Sequence, residues 1–325
     1  MKQTNWKQRA LAGLLALVLC FAFAPLSSFA AEEYDTQGAT VFLFSDGGIS
    51  VNKGNYEGYQ ISGTALTISE GGTYVLSGSC ADGSVTVKKG TKGVTLVLEG
   101  ISLTSADTAP LCFNKSTEVT VVVASGTQNT LSDSEKNNDD TYPENERAEN
   151  AVLKCKDGSA VTLCGGGALS LSANGKNGIK SGASTEEEGE ASLTIRQLTL
   201  NITAQVNDAI NAEQLLQIES GTLNITAADD AIHCDRVMQI GAKETAGPTI
   251  NITQCYEGLE AANLSVCSGT VELHASDDCL NAANSDLQGY AFTLDISGGT
   301  LIMDTTSGDG IDSNGTLTIS GGTVV

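Results

Sequence analysis

The chain has 325 residues, 36 of them glycine and only 5% aromatic, and it carries 39 acidic against 17 basic side chains for a net charge of −22. A surface of that sign repels nucleic acid and anionic lipid and recruits cations, which excludes nucleic acid as a partner class. Beyond the leader, no stretch is long and apolar enough to span a membrane.

In chain order, residues 1–30 read as a secretory signal: Lys2, Lys7 and Arg9 are followed by an apolar run from Leu11 to Phe23 and the small-residue cleavage site Ser28-Phe29-Ala30. The expected location is therefore secreted, extracellular or at the cell surface. Cys20 follows Leu19, where lipidation needs a small residue, so a lipid anchor is not expected. Cleavage leaves 14 basic against 39 acidic side chains, a net charge of −25, and removes Trp6, the sole tryptophan.

Residues 31–62 form a polar lead-in with weak strands around Val41–Phe44 and Ile49–Val51. From Gly63 to Asp133, strands are expected at Thr73–Leu76, Ser84–Lys88, Val94–Leu98 and Val119–Val123. The acidic loop 132–150, holding Pro143, and Glu186-Glu187-Glu188 read as solvated insertions. Strands restart at Ala151-Val152-Leu153 and continue to the end, so 63–325 is expected to be one domain. Ser320-Gly321-Gly322-Thr323-Val324-Val325 opens a further unit and stops mid-strand, so a capping unit is expected beyond it.

From Leu198 onward one pattern returns. An alternating apolar strand is followed by an acid, a small residue, Ile or Leu, and a polar residue: Asp208-Ala209-Ile210-Asn211, Asp230-Ala231-Ile232-His233, Glu257-Gly258-Leu259-Glu260, Asp278-Cys279-Leu280-Asn281 and Asp309-Gly310-Ile311-Asp312. Asn177-Gly178-Ile179-Lys180 is a weaker earlier copy. Successive starts lie 31, 22, 27, 21 and 31 residues apart, which suits a solenoid whose coils carry insertions.

Each repeat contains strands of period two, such as Thr199-Leu200-Asn201-Ile202-Thr203, Thr222-Leu223-Asn224-Ile225-Thr226 and Thr249-Ile250-Asn251-Ile252-Thr253. Val271 and Leu273, Leu301 and Met303, then Leu317 and Ile319 continue that inward set. The Ile or Leu after each acid supplies a second inward side, and Ile218, Ile240, Val266 and Ile296 a third. Three short strands per coil predict an all-β fold, a right-handed parallel β-helix. Antiparallel hairpins would not hold the acidic tetrad in one phase after every Gly-Thr.

Stacked coils lie about 4.8 Å apart, so carboxylates in register repel unless protonated or bridged. Calcium takes oxygen ligands at roughly 2.3–2.6 Å and fits between neighbouring coils. The lead column is Asp208, Asp230, Glu257, Asp278 and Asp309, with Asp229 and Asp277 doubling two of its members. Three residues later stand Asn211, His233, Glu260, Asn281 and Asp312. Two or three calcium sites along this face are the expectation, with turn carbonyls completing the shells. The competing reading is turn chemistry, since Asp and Asn tolerate left-handed turns. Asn alone would serve that purpose without the repulsion.

Eight cysteines follow the leader, an even number that permits disulfides or simple core filling, and no spacing matches a zinc site. The Asn-Ile-Thr triplets at 201, 224 and 251 fall within strands and read as an outward ladder. His233 and His274 are lone histidines on polar faces, expected at the surface. No nucleophile–base constellation or phosphate-binding glycine loop is present.

Gly71-Gly72-Thr73-Tyr74-Val75-Leu76-Ser77-Gly78, Val94-Thr95-Leu96-Val97-Leu98-Glu99-Gly100, Gly126-Thr127-Gln128-Asn129-Thr130-Leu131 and the tandem Gly-Gly-Thr…Asp-Gly-Ile coils resemble a clostridial family of secreted carbohydrate-binding β-helix proteins. The likeness spans roughly Ser62 to Val325. That family is similar in fold to the calcium-dependent pectate lyases. The resemblance implies binding of calcium and of an acidic plant polysaccharide such as polygalacturonate or pectin, without lyase activity. The acidic column supplies the implied ligands. Asn177 departs from the pattern by replacing an acid, and Tyr256-Glu257 by lacking the doubled acid, which weakens the middle site.

An anionic protein holds an anionic polymer only with cations between them, which agrees with that implication. Tyr256 and Tyr290 can stack singly on sugar rings. Two rivals remain. A polysaccharide lyase needs a base beside calcium, for which Lys180 and Arg236 are the candidates. A surface adhesin or stalk would use calcium only for stiffness.

Overall fold

The computed structural model describes residues 34–52 and 54–325; the signal segment and Cys20 lie outside the described residues. The strands wind into a parallel β-helix with three faces. On the first face, Glu118–Val123, Ala160–Gly165, Ser192–Ile195 and Leu215–Ile218 stack in parallel register. On the second, Gln128–Ser132, Ala168–Ala173, Thr199–Ala204, Thr222–Ala227 and Thr249–Cys255 do the same. The third runs from Ala65–Ile68 through Ala151–Cys155, Asn177–Ser181 and Ile210–Ala212 to Ile311–Ser313.

Period-two alternation drives this winding. Leu200, Ile202, Leu223, Ile225, Ile250 and Ile252 point inward and are buried, as are Ile218, Ile240, Val266 and Ile296 from the first face. Ile179, Ile210, Ile232, Leu259 and Leu280 close the third side. The inward residues form one continuous core from Phe42 to Leu301. In the last coil the inward positions Leu317 and Ile319 are 46% and 53% exposed.

The lead-in is more structured than its composition indicated. Thr40–Ser45 and Gly48–Asn52 form an antiparallel hairpin whose first strand pairs in parallel with Gly72–Cys80, burying Phe42 and Phe44. Strand Val94–Thr104 serves two faces, bending at Gly100 (φ 76°) so that its start pairs with Glu118–Val123 and its end with Gln128–Ser132. Asn129 holds that bend. Its Oδ1 accepts the N–H groups of Gly100 (2.9 Å) and Ile101 (3.0 Å), while its Nδ2 donates to Thr127 Oγ1 and the Ala168 carbonyl.

Two expectations are corrected. Loop 132–150 is not merely solvated: Asn137 and Asn138 are buried in it, and Asn137 Nδ2 donates to Asp133 Oδ2 (2.8 Å) and the Ala151 carbonyl (2.9 Å). Within the second acidic insertion, Glu188 pairs with Lys89 at 2.6 Å and accepts from Ser116 Oγ at 2.7 Å, tying neighbouring turns together. The cysteine alternatives also resolve. All eight described cysteines are free thiols, all but Cys267 are buried, and Cys80, Cys155, Cys234, Cys255 and Cys279 fill the core of the stack. No helix among the described residues is long and apolar enough to cross a membrane.

Candidate functional site

The acidic tetrads occupy the turn that leads into the third face. There the lead carboxylates do a structural task that composition did not reveal. Asp208 Oδ1 accepts the backbone N–H of Asp230 (3.2 Å), Asp230 Oδ1 that of Glu257 (3.3 Å), and Asp278 Oδ1 that of Asp309 (2.7 Å). One oxygen of each thus clips its coil to the next. The lead carbonyls are engaged as well: those of Asp208, Asp230, Glu257, Asp278 and Asp309 accept N–H groups from the preceding coil. Turn chemistry and carboxylate stacking are therefore both present.

The residue three places on lies on the third face and points outward. Register pairs Lys154, Lys180, Asn211, His233, Glu260, Asn281 and Asp312 as one continuous column. Within it Asn211 Nδ2 donates to Asp208 Oδ2 at 2.6 Å. Burial pushes the Asp208 carboxyl up to about 6, with Asn211 opposing and Asp230 reinforcing the shift.

The middle of the column corrects the reading of His233 as a surface histidine. Its Nδ1 lies 2.6 Å from Glu260 Oε2 and 3.5 Å from Asp230 Oδ2, and its Nε2 lies 2.9 Å from Asp235 Oδ1. Burial pulls the imidazole down, but hydrogen bonds to Asp230, Asp235 and Glu260 outweigh it and push the ring up to about 12. With a carboxylate facing each ring nitrogen, the charged imidazolium is the form this gap favours. One ligand atom each from Asp230, His233 and Glu260 lies within 4.8 Å of the others.

Below His233 the column is short of positive charge. Burial pushes Glu257 up to about 7; Asn281 opposes that, and Glu260, Asp230 and Asp278 add to it. Asn281 is 7% exposed and its Nδ2 donates to Glu257 Oε2 at 3.0 Å, yet its Oδ1 is buried with no hydrogen-bond partner among the described residues. A buried carbonyl oxygen left unpaired costs about 1–3 kcal/mol. Glu257, Glu260 and Asn281 thus present oxygen donors, one of them orphaned, which is the donor set a hard cation takes. The residues present fit calcium here. They fit it less well at His233, a protonated nitrogen.

The remaining expected ligands are dispersed. Asp229 is half-buried on the shoulder, its carboxyl raised by burial and by Asp230. Asp277 takes a bond from the exposed Tyr256. Asp309 is exposed and Asp312 half-buried, both in the last complete coil. Of the candidate bases, Lys180 Nζ donates to Asn211 Oδ1 (3.0 Å) and faces Glu213 (3.2 Å), and Arg236 stacks over the Tyr290 ring at 5.9 Å. His274 stays at the surface beside Asp304. The outward ladder is present, with Asn251 donating to Asn224 and Asn224 to Asn201 at 2.9 and 2.8 Å.

A parallel β-helix with a polar ladder on one face defines a class of protein, and comparison with known chains gives this one its family. Residues 62–325 match the family model described as carbohydrate-binding domain-containing protein, and the chain belongs to that family. A relative of the same description from Acetivibrio thermocellus is 32% identical over 130 residues, 40% of this chain and 44% of that protein. The match thus spans under half the length of that relative. A solved structure, the polysaccharide lyase-like protein from C. thermocellum as a gadolinium derivative, aligns over 88% of this chain and 99% of its own with a TM-score of 0.58 at 21% identity. That likeness establishes the fold, a polysaccharide lyase-like parallel β-helix.

Proposed function

We propose that this chain is a secreted protein that binds acidic polysaccharide of the polygalacturonate or pectin type, using calcium seated on the third face. The family supplies carbohydrate binding. The acidic specificity and the metal rest on the column, and the orphaned Asn281 Oδ1 beside Glu257 and Glu260 is the observation that carries them. Bound there, calcium would supply positive charge to share between these side chains and glycan carboxylates. The chain's own part is to hold Glu257, Glu260 and Asn281 in register, since each stands on a separate turn or strand fixed by the parallel ladder.

Binding is favoured over lyase chemistry because both candidate bases are engaged, Lys180 with Asn211 and Glu213 and Arg236 with Tyr290. The carboxylate-to-amide clips favour a second reading, in which the column and any calcium on it only stiffen a surface stalk. Retention of the mature chain on insoluble polygalacturonate separates the two. Retention with calcium and release by chelator support the glycan face. Metal-dependent melting without retention in either buffer leaves the stalk.

A further inference from the structure

The outward column of the third face changes sign along its length. Its C-terminal members are Glu260, Asn281 and Asp312, whereas its N-terminal members are Lys154 and Lys180, side by side in register. Two adjacent lysines stand out on a chain with 17 cations and 39 acids. The neighbouring cations are matched: Lys180 with Glu213 (3.2 Å), Lys156 with Glu149 (2.7 Å) and Lys115 with Asp157 (2.8 Å). Lys154 is half-buried and has no hydrogen-bond or ion-pair partner among the described residues.

Its surroundings form a receptacle. Lys154 lines an open cavity of about 250 Å³ together with Asn150 and the Lys115–Asp157 and Lys156–Glu149 pairs. Asp139 is also on the lining, its Oδ1 accepting from Asn150 Nδ2 at 2.6 Å. Because the flanking pairs neutralise each other, the Lys154 ammonium is left without a hydrogen-bonded acceptor among the described residues, although the charges of Glu149 and Glu213 act on it. The cavity falls below the ~300–1,000 Å³ of drug-sized sites, a size for one charged sugar unit of a longer polymer.

We propose that Lys154, with Lys180 beside it, receives a glycan carboxylate directly, giving the binding face a metal-independent anchor. This rests on the reading of the ligand as an acidic polysaccharide. Four register steps separate Lys154 from Glu260, about 19 Å along the solenoid axis at the usual strand spacing. A chain of several uronates spans that distance, one end held by lysine and the other through a cation. Burial and the Lys180 charge hold the Lys154 ammonium below the usual lysine range, against the pull of Glu149 and Glu213, and an arriving carboxylate would offset the shift by direct charge pairing. A charge-assisted bond of this kind changes affinity by about tenfold or more.

The test measures affinity of the mature chain for soluble polygalacturonate, with calcium and with chelator, in the wild type, Lys154→Gln and the loop control Lys243→Gln. Protection of Lys154 from an amine acylating reagent by galacturonate, with galactose as the neutral comparison, is read by mass spectrometry. A tenfold or greater loss in Lys154→Gln, abolition of its residual binding in chelator, and protection by galacturonate alone support the anchor. Equal affinities of wild type and Lys154→Gln, or equal losses in both variants, overturn it and leave the acidic-glycan reading intact. No polymer binding with galacturonate protection intact removes that reading and keeps the carboxylate site. Absence of both removes the two together. Cleavage of the polymer with formation of unsaturated uronate, lost in Lys154→Gln, would contradict an anchoring role and assign the residue to catalysis. Thermal unfolding of Lys154→Met checks folding: removing an unpaired, half-buried charge should leave the midpoint unchanged or higher, and a fall would mark Lys154 as structural.

Discussion

The coils before residue 133 and those after 199 are built on the same three faces, yet they secure their bends differently. In the earlier coils a buried amide, Asn129, holds the bend at Gly100, and at the turn into the third face a carboxylate meets a neutral neighbour, Asp82 Oδ1 accepting the Ala106 N–H (3.0 Å) and Asp133 Oδ1 that of Asn174 (2.7 Å). In the later coils the donors at that turn are themselves acids, Asp230, Glu257 and Asp309 giving their N–H groups to Asp208, Asp230 and Asp278. Either chemistry closes the turn. Only the second stacks acid on acid, and the later coils therefore carry a mutual repulsion that the proposed cation would relieve.

Breaking each device should show the difference. Asn129→Ala orphans the Gly100 and Ile101 N–H groups and should cost about 3 kcal/mol in chemical denaturation, equally with and without calcium. His233→Ala removes the cation shared by Asp230, Asp235 and Glu260. In chelator it should cost about 2 kcal/mol, discounted for partial exposure, and calcium should restore part of that loss. A loss insensitive to calcium would place His233 with Asn129 as a purely structural element.

The pH dependence follows the same division. Asp208 at about 6, Glu257 at about 7 and His233 at about 12 all lie above their ordinary values, so the folded chain holds more protons than the unfolded one. The stability these groups contribute is full below their unfolded values and is lost as pH rises. In chelator, urea midpoints should therefore fall from about pH 4 to pH 8, the acids acting first and His233 continuing the trend. Calcium should flatten the fall. Asn281→Ala should weaken calcium binding roughly tenfold while changing stability little, read by calorimetry. Asp309→Asn, at an exposed carboxylate, should change stability by under about 0.5 kcal/mol.

Much of this was legible in residue order. Alternation at Thr199–Ala204 and Thr222–Ala227 showed the strands, and a constant phase after each Gly-Thr placed Asp208 through Asp309 in one column. What escaped notice depended on direction and on distance across coils. A lone histidine reads as surface until Glu260 from the next coil closes on it at 2.6 Å. The pairing of Lys154 with Lys180 is hidden because no local motif marks the register between their strands. Loop 132–150 has a solvated composition, yet Asn137 packs at its base, since a polar residue with every bond satisfied is as admissible inside as an apolar one.

The proposed cation seat is formed by Glu257, Glu260 and Asn281. Its most direct test is a calorimetric calcium titration of chelator-stripped mature protein at pH 7, repeated in buffers of different ionisation heat and with Asn281→Ala. The expected result is saturable binding that releases protons, because burial pushes Glu257 up to about 7, and a marked loss of affinity in the variant. Absence of binding, or binding unchanged by Asn281→Ala, would contradict it.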